Sequence, residues 1–108
     1  MEFWYKGALE LAASNREREI FAVESLDLYL NRIDRFNPEL NAIVVLDRET
    51  ARDAARTADE ALAAGRGTAP LHGVPMTVKE SFDLAGHPST FGRPDQGNQK
   101  ADRDALAI

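Results

Sequence analysis

The sequence predicts an α/β protein in which helices come first and strands of a sheet follow. Three observations carry that prediction. Apolar residues recur at helical spacing between Ala22 and Phe36, two short apolar runs of strand length lie at Asn41 to Leu46 and Met76 to Val78, and the turn-forming residues are concentrated late in the chain. Apart from Gly7 and Pro38, every Gly and Pro lies at Gly65 or beyond, so regular structure is expected first and loops afterwards.

Taken in order, a short helix is expected around Ala8 to Ala13. Ser14 with Glu17 matches a capping box in form, but the charged run Arg16 to Glu19 follows it and apolar periodicity resumes only after Phe21, so the match is read as accidental. In the next helix Val23, Leu26, Leu30 and Ile33 step at three and four, with Tyr29 and Phe36 widening the stripe, and the helix is expected to stop at Asn37-Pro38. Ile43-Val44-Val45 is the β-branched centre of a predicted buried strand. Asp47 then has the character of an N-cap, with Glu49 favourably placed in the first turn. The helix it opens carries Ala51, Ala54, Ala55, Ala58, Ala61 and Leu62 on one face and stops at Gly65. Side chains this small bury little area, at about 25 cal/mol per Å², so this face is expected to lie close to a larger surface. Met76 to Val78 is the second predicted strand. Asp102 onward, with Ala105, Leu106 and Ile108, reads as a helix just beginning. A chain that stops inside an apolar-periodic segment, with no C-cap glycine, is expected to belong to a longer protein.

Composition narrows the functional classes. The 108 residues include no Cys and carry a formal net charge of -5. Disulfide scaffolds, cysteine nucleophiles and Cys-based metal sites are thereby excluded, and a reducing compartment is favoured. A compact chain of this length buries roughly 65% of the surface its unfolded form exposes, enough for one core at most. The acidic balance argues against a general nucleic-acid surface, since phosphate affinity comes from clustered Lys and Arg. The longest apolar run, Ala42 to Leu46, is far short of the roughly 20 residues that span a bilayer. A basic start followed by a clean apolar segment is missing from the N-terminus, so a cytoplasmic address is expected.

Few residues have the character of a site. His72 and His87 stand far apart in Gly/Pro-rich stretches with no partner at ligand spacing, so they read as loop-packing residues and no metal is expected. Gly65-Arg66-Gly67 lacks the continuation of either a dinucleotide fingerprint or a P-loop and reads as a helix stop. Lys79 differs, because it closes the short apolar run of the second predicted strand. Alternation there puts Thr77 and Lys79 on one face and Val78 on the other. Two readings follow from the residues: a lysine whose stem lies on apolar surface while its ammonium reaches water, or a buried lysine serving as a general base. The second asks a good deal, since an ordinary lysine with a pKa of about 10.4 offers a neutral amine in only about one molecule in 2,500 at pH 7.

The stretch Pro70 to Gly92, with Leu71-His72-Gly73-Val74-Pro75-Met76-Thr77-Val78-Lys79-Glu80 at its head, resembles the lysine-bearing region of the amidase signature family. Leu30 to Val44 is similar to the helix and first strand that precede that region, and the likeness runs in order from about Ala8 to Gly92. It implies the N-terminal part of a single amidase domain with a mixed β-sheet covered by helices. It also implies hydrolysis of carboxylic amides by a serine, cis-serine and lysine triad, in which Lys79 is the base and no metal or organic cofactor takes part. Both serines are expected in a Gly/Ser-rich segment beyond residue 108, where main-chain N–H groups would form the oxyanion hole. Ser81 and Ser89 lack that context. A chain with one third of the triad is expected to be inactive by itself. Two departures from the family pattern stand out. Phe21-Ala22 occupies the helix start where relatives offer Ser or Thr, forgoing a cap worth about 1 kcal/mol, and Glu80 follows the lysine where many members have Asp.

The expected partner is a small-molecule amide, with no nucleic acid and no membrane span; homo-oligomerisation is left open. An alternative is the A-type subunit of a tRNA-dependent amidotransferase, which would bind a charged tRNA and another protein chain. A third reading is a truncated product without catalysis.

Overall fold

The computed structural model describes residues 2–67, 69–97 and 99–108. They fall into two compact units, Met1–Pro75 and Met76–Ile108. The first is helical: α1 is Ala8–Arg16, α2 is Ala22–Leu40 and α3 is Arg48–Ala63, preceded by a 3-10 turn at Phe3–Tyr5. The second holds a 3-10 turn at Pro94–Gln96 and otherwise loops.

Helix α1 starts without an N-cap side chain, and Glu10 compensates by accepting the Gly7 amide at 2.6 Å. It buries Leu11, Ala12, Ser14 and Asn15. Ser14 lies inside the helix, so the Ser14–Glu17 spacing opens nothing; its hydroxyl accepts from Lys6 Nζ and donates to Glu19, each at 2.8 Å. Helix α2 buries Ala22, Ser25 and Leu30. Phe3 sits against Tyr29 with ring centroids 5.9 Å apart, and the Arg32 guanidinium lies 5.2 Å from the Trp4 ring and 4.9 Å from the Phe36 ring. These contacts fasten the N-terminal turn to α2.

Pro38 does not end α2, contrary to the sequence expectation, and the helix continues to Leu40. Proline deletes only one i to i-4 bond, and here the deletion falls in the last turn. The stop comes at Asn41, left-handed at φ 49° with its amide on Asn37 O at 2.7 Å. The Asn37 side chain also pairs with the main chain of Ile43, accepting its N–H at 2.9 Å and donating to its C=O at 3.0 Å.

That pairing bears on the first predicted strand, which is a correction. Residues 41–47 carry no regular structure, and within Asn41 to Leu46 only Ile43 is half-buried. An apolar run becomes a strand only when another strand supplies hydrogen bonds along its length. Here a single asparagine bonds one residue of the run, Ile43, and no strand pairs with it among the described residues. Met76 to Val78 likewise forms no ladder, and Asp102 onward is turns rather than a helix. The α/β expectation is thus realised only in its helices: the described residues contain no sheet, only isolated bridges between Ala85 and Ala101 and between Pro88 and Lys100.

Helix α3 follows the sequence closely. Asp47 caps it by accepting the Thr50 amide at 3.1 Å. It ends in a Schellman pattern, with Gly65 N on Leu62 O at 3.1 Å, Arg66 N on Ala61 O at 2.8 Å and Gly65 at φ 74°. It packs antiparallel to α2, as the pairs Arg52–Asp27 and Arg48–Asp34 require. The alanine face is only half-covered, however, and Ala54 is exposed. Tyr29, Ile33, Phe36, Leu40 and Ile43 line an open apolar groove of about 360 Å³ on the α2 side of this unit.

Candidate active site

Lys79 belongs to the second unit. Thr77 and Lys79 are exposed and Val78 between them is half-buried, but Met76 is exposed as well, so the alternation of a strand is not kept, and the lysine is not buried as its general-base reading asked. Its main-chain carbonyl accepts the Phe82 amide at 2.9 Å, which turns the chain just after the lysine. Among the described residues no carboxylate pairs with its ammonium.

The next residue does what the sequence did not disclose. Glu80 reaches across ten positions and accepts the main-chain amides of Thr90 and Phe91, the latter at 3.0 Å. Its own carbonyl accepts the Ser89 hydroxyl at 3.3 Å. The hydroxyl and amide of Thr90 hold the Glu80 carboxyl below the usual carboxylate range, against a smaller opposing effect of burial. The turn so gripped is one that most residues resist: Phe91 and Gly92 both have positive φ, 52° and 75°. Thr90 Oγ1 adds a bond from the Gly92 amide at 3.2 Å. Beyond it, Ala85 N on Asp104 at 2.8 Å, Gly86 N on Ala101 O at 2.9 Å and Ala105 N on Asp83 O at 2.8 Å brace the rest of the unit.

The histidines serve the loops. His72 Nε2 lies 2.7 Å from Ala58 O in the first unit, and His87 Nδ1 lies 3.0 Å from Ala85 O in the second. No group of three or more potential metal ligands gathers among the described residues. Among the described residues no helix is long and apolar enough to cross a membrane. Ser89 is committed to a main-chain carbonyl, and nothing brings it or Ser81 to Lys79 by a hydrogen bond among the described residues. The α2 start, which lacks a cap of its own, is satisfied from elsewhere. Asp59 of α3 accepts the amides of Ala22 and Val23 at 2.7 and 3.1 Å, while Glu24 accepts that of Phe21 at 2.9 Å.

A helical first unit followed by a lysine on a cross-braced loop is the arrangement found here, and comparison with known proteins gives it a family. The family model "Amidase" matches residues 24–108, Lys79 included. The chain belongs to the amidase family. It is 40% identical over 105 residues to the indoleacetamide hydrolase of Bradyrhizobium diazoefficiens, covering 97% of this chain and 20% of that protein. It is 39% identical over 99 residues to the A-type subunit of the glutamyl-tRNA(Gln) amidotransferase of Dechloromonas aromatica, covering 92% and 20%. With the acylamidase of Rhodococcus erythropolis it shares 37% over 102 residues, covering 94% and 21%. The chain spans about a fifth of the length of these curated relatives.

Proposed function

We propose that residues 1–108 are the N-terminal portion of a single amidase domain that hydrolyses a small carboxylic amide, with Lys79 as its general base. The observation that supports this best is the position of Lys79 inside the matched family region. In the complete domain, two serines beyond residue 108 join the lysine. The neutral Lys79 amine takes the proton of the bridging serine, which takes that of the nucleophilic serine as its oxygen attacks the amide carbonyl. The leaving amine departs protonated, and water then releases the acid from the acyl-enzyme. The mixed sheet that the family resemblance implies is built in the complete domain. The enzyme works in the cytoplasm, without metal or organic cofactor.

A second reading is the A-type component of an amidotransferase, and it is supported by a relative of that name at 39% identity, against 40% for the hydrolase. The deciding experiment compares the full-length enzyme with its Lys79→Ala variant on simple primary amides, reading ammonia release. Loss of about 10²–10⁴-fold is expected for removal of a general base; an unchanged rate overturns the assignment. Ammonia transfer that depends on a co-purifying protein partner would favour the second reading.

A further inference from the structure

Glu80 is tied down at both its side chain and its main chain. The carboxylate accepts two consecutive amides, those of Thr90 and Phe91, and the carbonyl accepts the Ser89 hydroxyl. Residues 89–91 therefore grip one amino acid from two directions, and that amino acid is covalently next to Lys79. A lysine has four rotatable carbons between backbone and amine, so the reach of its nitrogen is only as well defined as the point from which the stem starts. Carboxylates that accept several N–H groups are strongly held, because the charge assists each bond.

We propose that Glu80 is a positioning residue for the amide chemistry: by clamping the Ser89–Phe91 turn it fixes the backbone from which Lys79 extends, and it commits its own negative charge to amides rather than to the neighbouring ammonium. The inference rests on the reading of Lys79 as the base. A base must give up its proton, and a carboxylate paired with the lysine would favour the charged form instead. The same clamp thus serves geometry and charge together. Glutamine at this position cannot replace it, since one of its two terminal atoms is a donor and would face an amide N–H that also donates. Aspartate keeps both acceptors on a stem one methylene shorter.

The test uses the full-length enzyme with Glu80→Gln, Glu80→Asp and Lys79→Ala, with rates normalised to folded protein. Glu80→Gln is expected to lower kcat about 10- to 100-fold, the scale of a misplacement near 1 Å, with KM and thermal midpoint close to the parent. Glu80→Asp should recover kcat to within about three-fold, because both acceptor oxygens are retained. A parental kcat in Glu80→Gln overturns the proposal, as does a fall explained wholly by a lower melting temperature. If Lys79→Ala stays active while Glu80→Gln does not, the base reading fails and the clamp serves another group. Should Glu80→Gln not fold, hydrogen exchange of the parent enzyme decides: Thr90 and Phe91 amides are expected to be protected, and exchange at the rate of a free chain overturns the clamp.

Discussion

The carboxylate of Asp59 caps a helix it does not belong to. It sits near the end of α3, and its two oxygens accept the Ala22 and Val23 amides at the start of α2. An N-terminus without a capping side chain leaves up to four amides unsatisfied. The antiparallel partner helix supplies the acceptor that Phe21 cannot. The charge also lies at the positive end of the α2 dipole. Asp59→Ala is expected to destabilise the first unit by about 1–2 kcal/mol, the usual cost of a lost cap. Asp59→Asn should cost less, because it retains one acceptor. Denaturant unfolding of the full-length enzyme, with the m-value checked for constancy, reads both. Parental stability in Asp59→Ala would show that water satisfies those amides equally well.

Gly73 is closed to any side chain for two separate reasons. Its φ is 76°, and a Cβ there would stand 2.0 Å from Nδ2 of Asn15, a residue only 3% exposed. Gly73→Ala is expected to cost more than the roughly 1 kcal/mol of a left-handed alanine, because the buried asparagine must also move. Adding Asn15→Ala to it should relieve the collision and leave the backbone cost. A double-mutant cycle should therefore give a coupling energy of at least about 0.5 kcal/mol; strict additivity would mean that the two residues do not meet.

The Glu80 clamp has a pH dependence whose sign is fixed. Its carboxyl lies below its ordinary 4.5 in the folded chain because the Thr90 hydroxyl and amide favour the charged form. The stabilisation is therefore fully present above the unfolded Glu range and is lost as pH falls through the lower folded value. Protection of the Thr90 and Phe91 amides, corrected for intrinsic exchange, should hold near neutrality and decline in acid below the usual Glu range. Glu80→Gln should show little protection at either pH. Protection that persists in acid would place the order of this turn elsewhere.

The 108 residues expressed alone are expected to self-associate or to unfold without a sharp transition. Leu40, Val44, Met76 and Phe91 are 69%, 61%, 67% and 72% exposed, and unpaired apolar edges favour association. Light scattering and a thermal scan decide this. A monomer with a cooperative transition would show that the helical unit is sufficient in itself.

What the sequence determined by itself was whatever depends on neighbours a few residues away. Helices α1, α2 and α3, the Asp47 cap and the stop at Gly65 all follow from local periodicity and turn chemistry, and the lysine motif was legible as an ordered string of residue types from Pro70 to Gly92. Tertiary structure alone decided the rest. Val44 and Val45 have strand character, yet a strand needs hydrogen-bonding partners that no local pattern can supply, and so the run carries no regular structure and only Ile43 is held, by Asn37. Pro38 announced a helix end, but a single lost bond in the last turn was too weak to enforce one. Asp59 and Ala22 are 37 residues apart and Glu80 and Thr90 are ten apart; neither spacing is a helical or strand period. A carboxylate finds distant amides only after the chain has folded to bring them within about 3 Å of each other, which is why both contacts were invisible in the sequence.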